Sequence, residues 1–168
     1  MAKSIFISRD LDENDHLSVN LRAAGLVVHG FSLIKIEALF FVLPRLEFDW
    51  VFLASSNAAK IFLPSFSSAV KIGAAGLATA KAVADFGFKV SFIGFGGDMN
   101  KVGKQFAKEV GNATVLFPCA EDGSKKIQNQ LAEGQVINLP IYSSITKDHV
   151  GIPDTDIIFL SSPSNAKA

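Results

Sequence analysis

Residues Trp50–Lys60 read WVFLASSNAAK, and the fold is decided there. Trp50–Ala54 is a short, unbroken apolar run. It lacks the in–out alternation of a strand with one wet face, so it predicts a strand covered on both sides, as in a parallel sheet. Ser55, Ser56 and Asn57 follow at once. All three are good N-cap residues, so a helix is expected to start directly at the strand's end. The same arrangement recurs in Asp156–Lys167, DIIFLSSPSNAK. Phe52/Phe159, Leu53/Leu160 and Ser55/Ser162 each stand 107 positions apart. Pro163 follows Ser162 at a first helical position, where a missing N–H costs nothing.

The same strand–turn–helix rhythm extends in both directions. Strands are expected at Ser4–Ser8, Val27–Val28, Leu33–Ile36, Val70–Gly73, Lys89–Ile93, Thr114–Phe117, Val136–Leu139 and Asp156–Leu160. Helices are expected where Leu17, Leu21 and Ala24 recur before Gly25, over Ala78–Phe86 before Gly87, and after Asp98. In the last, Val102, Phe106 and Val110 share one face. Ile127 and Leu131 predict a further helix closed by Gly134. A second internal match pairs Ile5–Ile7 with Val115–Phe117, Leu17 with Ile127 and Leu21 with Leu131, all at an offset of 110. Alternating strands and helices of this kind define an α/β protein with parallel sheets. Judged from the repeat alone, a complete second copy would need roughly 45–50 residues beyond Ala168, so the second domain is expected to be incomplete.

Composition narrows the functional classes. Hydrophobic residues make up 49% and charged residues 19% of the 168, which excludes a disordered chain. No apolar run reaches the ~18 residues that a membrane-spanning helix needs, and Ala38–Pro44 is stopped by Pro44 and Arg45. The sequence MAKSIFISRD has no signal-peptide core. A single cysteine, Cys119, excludes an internal disulfide and a cysteine-built zinc site. A cytoplasmic setting is therefore expected. Sixteen Lys+Arg balance sixteen Asp+Glu, so no basic field draws in nucleic acid or an acidic membrane.

The candidate site residues cluster at strand ends, where open parallel sheets bind their ligands. Ser55 and Ser56 stand at the start of a helix, whose free N–H groups and dipole attract anions, or they serve only as caps. Ser162 repeats the arrangement. Thr79, in Gly76–Lys81 (GLATAK), falls in the first turn of the next helix. Arg9 ends the first strand, as an anion contact or a solvated charge. Tyr142, the only tyrosine, follows strand Val136–Leu139 and Pro140, where a lone tyrosine is usually a hydrophobic plug with a hydrated hydroxyl. Gly73 and Gly76 do not have dinucleotide-binding spacing, and Gly94–Gly97 (GFGG) lacks the Lys-Ser/Thr of a P-loop. His16, His29 and His149 have no metal-ligand spacing, and Cys119 reads as an ordinary loop residue. No Gly-x-Ser-x-Gly elbow marks a serine hydrolase.

Taken in order, these segments resemble the uroporphyrinogen-III synthase family. The carrying motifs are Ser8-Arg9, Leu21–Gly25, Asp49–Ala58, Gly76–Ala80, Ile141-Tyr142 and Phe159–Ser164. Pro118–Glu121 departs from the family pattern, where Arg-Gly is common, and so offers no basic contact. The resemblance implies two flavodoxin-like parallel-sheet domains. One is discontinuous and incomplete, residues 1–36 plus 146–168. The other is continuous, residues 37–145 with the linker strands. It also implies a lyase of tetrapyrrole and heme synthesis without metal or organic cofactor. That enzyme cyclises hydroxymethylbilane with loss of water and inversion of ring D, through a spirocyclic intermediate. Tyr142 is then expected to assist the leaving hydroxyl, and Arg9, Ser55, Ser56, Thr79 and Ser162 to bind the substrate. Ser55, Thr79 and Tyr142 are expected on one sheet edge.

Two other readings compete with this one. The first is a non-catalytic small-molecule or anion-binding module on a flavodoxin-like scaffold. The second is a nucleotide- or flavin-binding protein. Fold alone does not separate them, whereas turnover of hydroxymethylbilane does. An incomplete domain would leave apolar edges uncovered, so self-association is also expected.

Overall fold

A computed structural model describes residues 2–12, 15–148 and 150–168, the side chains of 163 and 164 excepted; His149 lies outside the described residues. In chain order the elements are β1 (Ser4–Ile7), α1 (His16–Ala23), β2 (Val27–Gly30), β3 (Ile34–Ala38), β4 (Trp50–Leu53) and α2 (Ser56–Phe62). Then follow β5 (Lys71–Ala74), α3 (Leu77–Asp85), β6 (Phe92–Ile93), α4 (Met99–Val110), β7 (Val115–Ala120), β8 (Val136–Thr146), β9 (Ile157–Phe159) and α5 (Pro163–Lys167). They form two compact units, residues 1–36 with 144–168, and residues 37–143.

One sheet has the order β3-β8-β7-β4-β5-β6. The β4–β5, β4–β7, β5–β6 and β7–β8 pairs are parallel. β3 runs antiparallel along β8, because the N–H of Leu39 donates to Ile141 O while the N–H of Lys147 donates to Leu33 O. The second sheet, β2-β1-β9, is parallel throughout. Its order, with β1 between β2 and β9, begins a flavodoxin-type sheet. The larger sheet takes the same order once β7 and β8 are counted before β4. The sequence repeat demands that count, since it matches β1 to β7 and β9 to β4. A further pair of contacts follows the match. Asp49 accepts from the Thr114 N–H (2.9 Å) at the foot of β4, and Asp156 accepts from the Ser4 N–H (2.7 Å) at the foot of β9.

Burial separates the two copies. Every residue of β4 is buried, because β7 and β5 flank it and helices cover its faces. In β9 the matching side chains stay in water, Ile158 at 56% and Phe159 at 46% exposure, with β1 as the one neighbour in its sheet. The core of the larger unit is aromatic. Phe52 and Phe106 have ring centroids 4.5 Å apart, and Trp50, Phe117 and Phe92 complete the cluster. Gly73 is required there, since a Cβ would lie 2.8 Å from the Phe52 ring.

Three expectations change. Residues Gln128–Gln130 form a single 3₁₀ turn rather than a helix. The segment carries only Ile127 and Leu131 as apolar residues, enough for one contact with α4, where Ile127 packs against Gly103. Cys119 lies in β7, half-buried, and not in a loop. Strand β8 runs through Pro140 to Thr146, well past Leu139.

Candidate functional site

The carboxyl ends of β4 to β8 carry the chemistry of the larger unit. Ser55 has extended backbone (φ −148°, ψ 157°), and its Oγ accepts the Ala58 N–H at 3.1 Å, which caps α2. The same oxygen lies 3.1 Å from the Tyr142 hydroxyl, across 87 residues of chain. β8 delivers that hydroxyl through a bulge. Cys119 faces Pro140 and Ala120 faces Tyr142, so Ile141 is the extra residue. A bulge re-aims the side chains beside it. Tyr142 is 8% exposed, and its carbonyl accepts the Glu121 N–H at 2.9 Å. The Ser55–Tyr142 pair therefore stands beside the β4/β7 junction. From there the chain proceeds outward through β5 and β6 on one side, while β8 closes the other. In open α/β sheets this reversal of strand order is where ligands bind.

Thr79 lies one strand away. It is 6% exposed, in the first turn of α3, whose N-cap is Gly76 and whose N-terminus has no side-chain cap. It lines a cavity of about 380 Å³ at the ends of β4, β5 and β6, shared with Ala54, Leu77, Phe95 and Met99. The structure thus pairs Ser55 with Tyr142 and seats Thr79 in this neighbouring cavity. Ser56 is half-buried as the first residue of α2.

The remaining two candidates belong to the smaller unit. Arg9 is engaged by its own segment: its Nη2 pairs with Asp15, the N-cap of α1, and its buried Nε has no hydrogen-bond partner among the described residues. The Ser18 N–H, and secondarily Arg9, hold the Asp15 carboxyl below its ordinary range. Ser162 caps α5 with nearly the dihedrals of Ser55, and accepts from both Asn165 nitrogens, N at 3.2 Å and Nδ2 at 3.0 Å. Sequence reasoning missed Asn165, 6% exposed, whose Oδ1 takes the Leu33 N–H at 2.8 Å. It also missed buried Ser8, whose Oγ accepts the Ser161 N–H at 2.9 Å and ties the ends of β1 and β9 together. Burial pushes the Cys119 thiol up, so it is a poor nucleophile. Among the described residues no three His, Cys, Asp or Glu side chains gather into a metal site.

Parallel sheets with neutral hydroxyls and an uncapped helix start at their carboxyl edge define the class: an α/β protein built to receive a small ligand at its strand ends. Comparison with known proteins specifies which one. The model of the family described as "Uroporphyrinogen-III synthase HemD" matches residues 15–168, and the chain belongs to that family. It is 27% identical to the uroporphyrinogen-III synthase of Synechococcus elongatus over 178 residues, covering 95% of this chain and 67% of that protein. The fold is similar to the crystal structure of uroporphyrinogen-III synthetase from Helicobacter pylori, with a TM-score of 0.64 at 16% identity, over 99% of this chain and 76% of that one. A mutant uroporphyrinogen III synthase from Thermus thermophilus gives 0.57 at 12% identity, over 87% of this chain and 64% of that one. Membership makes the chain an enzyme of heme biosynthesis, a cyclising lyase, and disfavours the binding-module reading.

Proposed function

We propose that Tyr142 is the proton donor of this uroporphyrinogen-III synthase, and that its hydroxyl acts on the leaving group of hydroxymethylbilane. The observation that carries this is the Ser55–Tyr142 contact at the reversal of strand order. Ser55 Oγ already accepts the Ala58 N–H, so its own proton is the natural one to give to the Tyr142 oxygen. Tyr142 then keeps its proton for the substrate's terminal hydroxyl. The C–O bond breaks, water departs, and the pyrrole nitrogen's electrons stabilise the cation left behind. Attack by the far ring at its substituted carbon gives the spirocyclic intermediate, whose rearrangement inverts ring D. The protein's larger task is to hold a flexible chain with its ends in register, which is worth more than one proton donor.

Substrate carboxylates are assigned to short-range donors at strand ends: the hydroxyls of Ser55, Ser56 and Thr79 in one unit, and the Ser162 hydroxyl with the Arg9 guanidinium in the other. Their residue types support this, because hydroxyls and helix N-terminal N–H groups suit carboxylates. The same reading takes residues 1–36 plus 146–168 and 37–145 as the family's two flavodoxin-like domains. The related strand orders and the paired Asp49 and Asp156 contacts support it. It places the enzyme in the cytoplasm; among the described residues no helix is long and apolar enough to cross a membrane. Self-association through the exposed side chains of β9 is part of the proposal.

The test is turnover of hydroxymethylbilane by the 168-residue chain. Products are oxidised to porphyrins and the isomers separated. The type III isomer is expected. Production of the type I isomer alone, the outcome of closure without inversion, would refute the assignment.

A further inference from the structure

We infer that the cavity at the ends of β4, β5 and β6 grips a single pyrrole ring of the substrate with its carboxylate arm, and that Phe95 and Leu77 set this preference. The inference rests on the synthase reading above and adds a ring-binding role for two residues outside it. Size comes first. At about 380 Å³ the cavity is near the lower end for small-ligand sites, enough for one substituted ring and far too small for four.

The lining fits an acidic, electron-rich ring. Among the described residues no charged side chain lines the cavity. Its polar groups are the N–H groups that open α3 and the Thr79 hydroxyl. Gly76 leaves that helix start open, since a Cβ there would meet nothing within 4 Å. Thr79 is more than nine-tenths buried, and its hydroxyl has no hydrogen-bond partner among the described residues. That hydroxyl is free to donate to a bound carboxylate beside the N–H groups of the helix start.

The apolar side of the cavity is placed deliberately. Phe95 and Leu77 are 67% and 68% exposed, two large hydrophobic side chains left in water at its rim. The Phe95 N–H donates to Gln105 Oε1 of α4 at 3.3 Å. The next two residues, Gly96 (φ +99°) and Gly97 (φ +68°), take left-handed backbone that favours glycine. The loop is thus pinned in a form that presents Phe95 at the rim. An aromatic ring there stacks on a pyrrole, while the helix start takes the carboxylate.

The test uses Phe95→Ala and Leu77→Ala, with Phe86→Ala, at the far end of α3, as control. Two readouts are taken: KM and kcat for uroporphyrinogen III formation, and amide NMR shifts on titration with porphobilinogen, a single pyrrole with acetate and propionate arms. Shifts are expected at Gly76–Thr79 and Gly94–Gly97. Phe95→Ala is expected to weaken porphobilinogen binding and raise KM about tenfold, roughly the loss of one good apolar contact, with kcat and the melting temperature little changed. Unchanged KM and Kd in both rim variants, shifts centred elsewhere, or no binding up to the probe's solubility would overturn the inference. Phe95-dependent binding by a chain that makes no type III product would instead defeat the synthase reading and leave this one standing.

Discussion

Replacing Ser55 and Tyr142 singly and together tests whether their contact is one functional unit. Tyr142→Phe keeps the ring in its buried seat and removes a single hydrogen bond of 3.1 Å, so a stability loss of about 1 kcal/mol is expected. Ser55→Ala removes that bond and also the cap on the Ala58 N–H, itself worth about 1 kcal/mol, for a total of about 2. The double variant has lost the cap and one shared bond, so it too should fall by about 2 kcal/mol, short of the sum of the singles by about 1. Urea unfolding followed by fluorescence of Trp50, buried in β4 of the same unit, reads these differences where they arise. The rate of type III formation should fall by about 1–3 kcal/mol of barrier in Tyr142→Phe, the scale for one proton donor. Additive stability losses would show that the hydroxyls do not act together. A wild-type rate in Tyr142→Phe would show that the tyrosine only packs.

Further outcomes follow from the packing and the charges. Gly73→Ala places a methyl group 2.8 Å from the Phe52 ring, which Phe106 and Phe117 hold in place; a loss of about 1–3 kcal/mol is expected in the same urea titration. The Ser4 N–H lowers the Asp156 carboxyl and the Ser18 N–H lowers that of Asp15, both in the smaller unit. Their folded values lie below the unfolded ones, so their contribution is full above the unfolded carboxylate range and is lost as pH falls through the folded values. Melting by circular dichroism from pH 6 down to pH 2.5 should show this loss, and Asp156→Asn should flatten it. Sedimentation should show concentration-dependent association that Ile158→Lys on β9 abolishes; a monomer at every concentration would contradict the proposed self-association.

What the sequence made legible was local. Ser55 and Ser162 announce helix starts by residue type, and both accept from the backbone N–H three residues on. The strands around them are short apolar runs, and each lies within a few residues of its expected place. The rest depended on distant partners. Ser55 and Tyr142 meet only because β7 separates β4 from β8 by one strand and a bulge turns β8 at Ile141. Neither contribution has a period or a motif. Gly94–Gly97 reads as a failed phosphate loop, yet its role turns on Gln105 of α4, which no spacing rule connects to Phe95. Arg9 is the opposite case. Asp15 stands at a cap position six residues along, so a local ion pair with Arg9 is readable from the sequence itself.

The charge balance constrains how such a site can work. The substrate carries eight carboxylates, and the chain sets sixteen cations against sixteen anions, so long-range attraction contributes little. Among the described residues the cavity beside Thr79 adds no cation of its own. On the proposed binding mode, affinity comes at short range, chiefly from backbone N–H groups and hydroxyls whose dipoles are fixed before the substrate arrives. Fixed dipoles act only at hydrogen-bond distance, so they reward one arrangement of the carboxylates and ignore others. A cationic cleft would attract the same polyanion in any fold. For a reaction whose product is decided by which ring end meets which, register matters more than raw affinity, and in the proposed binding mode the fixed donors of the strand edge supply it. Screening by salt weakens contacts across a Debye length far more than those in a partly buried pocket. On this argument KM should change little as ionic strength rises from low salt to physiological values, unlike that of an enzyme that gathers its anion with lysines.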